Sequence, residues 1–203
     1  MNREIGFKVG FIVIYVAYLL IRLFFGKVIQ KTNGRILYLD KDAVENEGRL
    51  RLFLRIMQFI TRNIAIVMYV LGIGDIFKMN IPNVIRIFGI VLGILSLGLL
   101  IHVQMCLGRF WSTSLKIVEN HELIQDGIYK YIRHPMYLVL INMMIAYTLI
   151  TSYWLVAIPS LVAVVNIYTR IDREEDMLIK QFGDNYIEYR KTTNKILPKI
   201  LWF

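Results

Sequence analysis

The residue types best suited to chemistry fall in two short stretches, DGIYKYIRHPMY at 126–137 and YTRIDREEDMLIKQFGDNYIEY at 168–189. In the first, Pro135 fixes its own φ and pushes the residue before it out of the helical region, which places Pro135 in the first turn of a helix and His134 at its N-cap. The first backbone N–H groups of such a helix have no partners and carry a partial positive charge, so they suit a carboxylate or phosphate. Gly127 lets the loop approach a ligand closely, and Tyr129 and Tyr137 can stack on a purine or touch a cation. Tyrosines and basic residues at a membrane surface also occur simply as an interfacial belt, and that reading competes with the functional one.

In the second stretch, Arg170 and Glu174 stand one turn apart on one helix face, with Arg173 and Glu175 beside them. A solvated ion pair of this kind is worth only about a few tenths of a kcal/mol. Arg before Glu is the less favourable order for such a pair, however, and an unpaired guanidinium at a membrane exit is costly. Arg170 is suited to capture the anionic head of a lipid-like molecule, and Glu174 to bind the hydroxyls or cation of a water-soluble partner. The residues therefore point to a two-substrate site that joins a soluble cofactor to an amphiphile.

The elements that must position these residues are apolar. The chain has 203 residues, of which 57% are hydrophobic and only 19% charged, a balance that favours the bilayer as solvent. A hydrocarbon core about 30 Å thick needs roughly 20 apolar residues per helix, and spans are expected near Ile5–Phe25, Met57–Phe77, Val84–Leu107, Met136–Ile150 and Tyr153–Tyr168. The last two form one run without a charged residue, which as a single helix would be about 50 Å long. That length predicts a helical hairpin turning near Thr151–Ser152. Ile171, Leu178 and Phe182 then recur at helical spacing, so the tail continues the last span as an amphipathic helix.

The expected fold is thus an all-α integral membrane protein of about five transmembrane helices, with a C-terminal helical hairpin and a cytoplasmic cofactor pocket. Residues 1–203 read as a single domain: spans and a connector over 1–105, then a catalytic loop, the hairpin and a tail over 106–203. Most Lys and Arg fall on one side if the C-terminus is cytoplasmic, following the positive-inside rule. Topology and anionic lipid headgroups then account for the net charge of +9, and nucleic acid is not an expected partner. The single cysteine, Cys106, leaves no intrachain disulfide or Cys-pair metal site, and no second His or carboxylate stands at metal-ligand spacing from His134. The mixed-charge connector over 26–55, with Asp40, Asp42, Glu45 and Glu47, reads as a solvated or interfacial segment.

LGRFWS at Leu107–Ser112, HELIQDGIYKYIRHPMY at His121–Tyr137, RIDREEDMLIKQFGDNYIEY at Arg170–Tyr189 and ILP at Ile196–Pro198 together resemble the isoprenylcysteine carboxyl methyltransferase family, in a minimal, microbial-type form. The resemblance implies S-adenosylmethionine as methyl donor, S-adenosylhomocysteine as product, and a lipophilic, prenylated carboxylate as acceptor reached through the bilayer. By motif it implies cofactor contacts from His121, Glu122, Leu123, Ile124, Tyr129, His134, Pro135, Met136, Tyr137 and Glu174. Arg170 is implied as the acceptor residue, and Arg170 with Glu174 as the catalytic pair. The alternative is a membrane reductase that uses NADPH on a sterol-like or other lipophilic substrate.

Overall fold

A computed structural model describes residues 3–33, 48–107 and 123–198. Among the described residues six α-helices follow one another: α1 (Arg3–Asn33), α2 (Arg49–Leu71), α3 (Asn83–Leu107), α4 (Pro135–Thr151), α5 (Trp154–Phe182) and α6 (Asp184–Thr192). Short 3-10 turns stand at Asp75–Phe77 and Gly127–Lys130. The region of α1 up to Val28, together with α2, α3 and α5, is long and apolar enough to cross a membrane, and α4 is a shorter apolar helix of 17 residues. The apolar part of α5 ends at about Tyr168, and its last fourteen residues form a charged extension.

The first, third, fourth and fifth expected spans coincide with α1, α3, α4 and the apolar part of α5, and the hairpin turns where expected. Ser152 adopts a left-handed backbone at φ 49°, its N–H returning to the Thr148 carbonyl. The turn is clamped from outside: the Met79 N–H donates to the Ser152 carbonyl at 2.8 Å, and the Ser152 hydroxyl to the Met79 carbonyl at 2.6 Å.

The second span departs from its expected Met57–Phe77. The helix begins earlier, at Arg49, and ends at Leu71 because Gly72 at φ 75° caps it with a left-handed residue whose N–H returns to the last-turn carbonyls. Arginine is a good helix former, so Arg49, Arg51 and Arg55 prolong the helix where a hydropathy window stops. The connector over 26–55 is correspondingly helical up to Asn33 and from Arg49; its acidic residues lie outside the described residues.

α4 is the hub of the bundle. It packs most extensively on α3, and also against α5 and α1, while α2 leans on α5. Gly89 and Gly93, four apart on α3, allow the close approach: a Cβ at Gly89 would stand 2.8 Å from the Leu149 Cβ and 3.2 Å from the Ile150 backbone nitrogen. Alanine at Gly89 must therefore push α3 and α4 apart, at a cost of about 1–3 kcal/mol; thermal unfolding in detergent micelles should show it as a lowered midpoint. Above this contact a core of Phe11, Tyr69, Tyr147, Val139 and Met143 fills the space among α1, α2 and α4. A smaller cluster, Met144, Ala163, Ile167, Ile171 and Ile196, joins α4 to α5 and to the tail.

Arg86 closes the end of the bundle remote from the 126–137 loop. It lies within the apolar window of α3 and was not singled out by its spacing. Its buried guanidinium makes a two-pronged pair with Glu4 at 2.7 and 3.1 Å, donates to the Ile150 carbonyl at 3.0 Å, and stacks 3.9 Å from the Phe7 ring centre. Alanine there would leave the Glu4 carboxylate and a helix-end carbonyl without their donor, destabilising the fold by about 3 kcal/mol; the check is the same melting measurement, with Arg86→Lys, which cannot make the fork, expected in between.

Candidate functional site

The loop over 123–134, the N-terminus of α4, the charged extension of α5 and the tail after α6 meet at one end of the bundle. Gly127 starts the loop's 3-10 turn with φ 60°, a conformation that suits glycine, and a Cβ on it would meet the Cys106 sulfur at 3.2 Å. Tyr129 is buried, and its carbonyl accepts the Tyr189 hydroxyl from α6. Burial, reinforced by the nearby Glu174 carboxylate, pushes the Tyr129 phenol far above its usual range, so it stays neutral.

His134 is the N-cap of α4 and Pro135 occupies its first turn, as the Pro rule predicts. The His134 side chain does not cap the helix. It points instead between two carboxylates, Nε2 3.3 Å from Glu175 Oε1 and Nδ1 4.0 Å from Glu174 Oε1. Its backbone N–H donates to the Lys195 carbonyl at 2.9 Å, and the Arg133 N–H to the Asn194 carbonyl at 2.9 Å. The loop is thereby stitched to the tail by two main-chain hydrogen bonds, across about sixty residues of sequence.

Arg170 and Glu174 lie on one face of α5, and Tyr137 from α4 stands between them. The Arg170 Nε donates to the Tyr137 hydroxyl at 2.9 Å, and that hydroxyl donates to Glu174 Oε2 at 2.6 Å. The Tyr137 ring lies 5.7 Å from the His134 ring. Pro135 is buried and Met136 half-buried, the Met136 sulfur 4.0 Å from the Arg22 guanidinium of α1. Leu123 and Ile124 are half-buried at the start of the described loop. His121 and Glu122 lie outside the described residues. The structure thus brings together Tyr129, His134, Pro135, Met136, Tyr137, Arg170 and Glu174 of the expected set.

A second layer was not singled out by spacing. Arg133 and Glu175 are both buried and paired, Arg133 Nε to Glu175 Oε1 at 2.9 Å, and Arg190 Nε approaches the other Glu175 oxygen at 3.4 Å. Arg133 also donates to the carbonyls of Arg190 and Thr193, which fastens the tail. Burial alone would raise the Glu175 pKa, but hydrogen bonds from the His134 ring and the Arg133 guanidinium outweigh it and hold the carboxyl down at about 2. The two adjacent glutamates are not equivalent: the Glu175 side chain is 3% exposed and that of Glu174 35%. Glu175 is committed to the protein, and Glu174 retains a face that a ligand can reach. Near Glu175 and Arg133, the buried Tyr186 hydroxyl has no hydrogen-bond partner among the described residues.

Helices that cross the bilayer and a charged cluster at the mouth of their C-terminal hairpin define an integral membrane protein with a built polar site. Residues 88–180, which hold α3, the loop, α4 and nearly all of α5, match the model of the isoprenylcysteine carboxyl methyltransferase (ICMT) family. Among curated proteins, the chain is 31% identical to a protein-S-isoprenylcysteine O-methyltransferase of Schizosaccharomyces pombe, over 47% of this chain and 47% of that protein. It is 28% identical to the uncharacterized protein YpbQ of Bacillus subtilis, over 55% of this chain and 67% of that one. A further protein-S-isoprenylcysteine O-methyltransferase, from Xenopus laevis, is 32% identical over 40% of this chain and 29% of its own length. Among solved structures, a eukaryotic intramembrane Ras methyltransferase ICMT shares the fold, with a TM-score of 0.56 and 18% identity over 93% of this chain and 67% of that one. The chain is thus similar to the ICMT family over residues 88–180, and it shares the fold of the solved ICMT. The chain spans about half the length of the fission-yeast relative it matches.

Proposed function

We propose that this chain is an S-adenosylmethionine-dependent methyltransferase that methylates the carboxylate of an isoprenylcysteine-like, lipophilic acceptor. The observation that carries the reading is the juxtaposition, inside the family-matching segment, of an arginine at the membrane exit with a ligand-accessible glutamate, Arg170 and Glu174, joined through Tyr137. The donor set suits the cofactor. Glu174 offers a reachable carboxylate to an ammonium or to ribose hydroxyls, and the half-buried Tyr137 offers a ring to a purine or a cation. His121, Glu122, Leu123 and Ile124 complete the assignment on the strand of chain that leads into the loop.

When bound, S-adenosylmethionine supplies a methyl group on a positively charged sulfur. The chain's own contribution is to bind, orient and dehydrate. Arg170 holds the acceptor carboxylate, already ionised at neutral pH, so no general base is required; a guanidinium can do this with two parallel hydrogen bonds. Fixing the nucleophile in line with the methyl group converts an encounter of two molecules into a step within one complex. Exclusion of water strengthens the attraction between the acceptor anion and the cofactor cation. The cofactor side of the membrane is assigned to the cytoplasm by the distribution of Lys and Arg.

Calorimetric titration of the protein in lipid or detergent with S-adenosylhomocysteine and with NADPH, in parallel, tests the reading. Saturable binding of S-adenosylhomocysteine is expected and none of NADPH; NADPH binding without S-adenosylhomocysteine binding would replace methyl transfer with reduction.

A further inference from the structure

A hydroxyl has one proton, and Tyr137 has two neighbours that make opposite demands on it. It accepts from Arg170 Nε at 2.9 Å, and its proton goes to Glu174 Oε2 at 2.6 Å. Arg170 and Glu174 thus share one oxygen atom, which puts the acceptor's binding group and the cofactor's binding group within a few ångströms of each other. An anion presented to Arg170 meets the negative charge of Glu174 and a hydroxyl whose proton is already given away.

From this the geometry points to Tyr137 as a positioning residue that couples the two sites: when cofactor donors satisfy Glu174, the Tyr137 hydroxyl turns its proton to the acceptor carboxylate at Arg170. The inference rests on the proposed cofactor and acceptor assignments and adds to them a coupling between the two sites. Two effects act in the same direction. Donors on Glu174 offset the charge that repels the acceptor anion, and they release a hydrogen bond that the anion can then receive. Coupling between two sites is a free energy shared by both ligands, so each must tighten the other by the same factor.

Phenylalanine at 137 keeps the ring beside His134 and removes only the switch. The experiment is to measure, in lipid nanodiscs, the dissociation constant of N-acetyl-S-farnesyl-L-cysteine with and without saturating S-adenosylhomocysteine, for wild type and Tyr137→Phe. Wild type is expected to bind the farnesylated acid about tenfold more tightly when S-adenosylhomocysteine is present, within the usual range of coupling between sites. In Tyr137→Phe the ratio should fall to about threefold or less, the remainder being the charge effect, when measured at S-adenosylhomocysteine concentrations that saturate the variant. If the phenylalanine variant binds neither ligand, Tyr137→Met carries the same expectation, because a flexible methionine fills the space and also lacks the hydroxyl.

An unchanged ratio in the variant, or no ratio in wild type, overturns the coupling and leaves methyl transfer standing. Failure of S-adenosylhomocysteine to bind wild type overturns the proposed function itself, and failure of the farnesylated acid to bind the loaded protein overturns the acceptor assignment and the coupling with it.

Discussion

Alanine at Arg170 is expected to leave S-adenosylhomocysteine affinity within about threefold of wild type while lowering methyl transfer about a thousandfold. Two charge-assisted hydrogen bonds to the acceptor carboxylate, at about 1.5–3 kcal/mol each, account for a loss of that order. The Arg170 Nε donates to the Tyr137 hydroxyl, which keeps its bond to Glu174 when the arginine is gone. Glu174→Ala should show the reverse pattern: cofactor affinity falls about 10- to 100-fold, the value of one charge-assisted hydrogen bond, and turnover falls with it but recovers in part at high cofactor concentration. Calorimetry with S-adenosylhomocysteine and a radiolabelled transfer assay to N-acetyl-S-farnesyl-L-cysteine separate the two. Equal cofactor affinity in wild type and Glu174→Ala would show that the division of roles along α5 is wrong.

Glu175→Ala should do more damage to the fold than either. It leaves the Arg133 guanidinium, 9% exposed, without its carboxylate, and removes what Arg190 and the His134 ring approach. Breaking a buried pair from one side costs about 3–5 kcal/mol. The pH dependence has a definite sign. The Glu175 carboxyl is held near 2 in the folded protein against an ordinary value of 4.5, so its contribution is complete above pH 4.5 and is lost as pH falls from 4.5 toward 2. Melting temperature followed down through this window should drop in wild type more steeply than in Glu175→Gln, which has no proton to take up. Parallel acid limbs in the two proteins would mean that Glu175 is not the group responsible.

The contrast between Glu174 and Glu175 shows where sequence reasoning stops. Pro135 dictates its own backbone and constrains His134, so the cap of α4 was legible from two residues. The uncharged run into Thr151–Ser152 is too long for one span, so the hairpin was legible from length. Adjacent glutamates, by contrast, differ only by about 100° around a helix, and which of them turns inward depends on Arg133, 42 positions away, and on a tail that folds back at Thr193. No spacing rule connects those segments. The register of α2 escaped for a local reason: Gly72 and Gly74 take left-handed conformations that end the helix, while a hydropathy window continues through both. Arg86 escaped because the expected span from Val84 to Leu107 carried it as one charge among apolar residues. Its partner Glu4 is 82 residues away.

The two main-chain hydrogen bonds from Arg133 and His134 to Asn194 and Lys195 also bear on how the protein is made. Chains emerge N-terminus first and fold in the order in which they appear, so α1 to α5 can enter the membrane while the backbone that holds His134 in place is still unmade. A nascent chain stalled after α5 would have its helices, its hairpin, Arg170 and Glu174, and an unanchored His134 between them. Assembly of the site therefore waits on synthesis through Lys195 and follows the entry of α1 to α5 into the membrane.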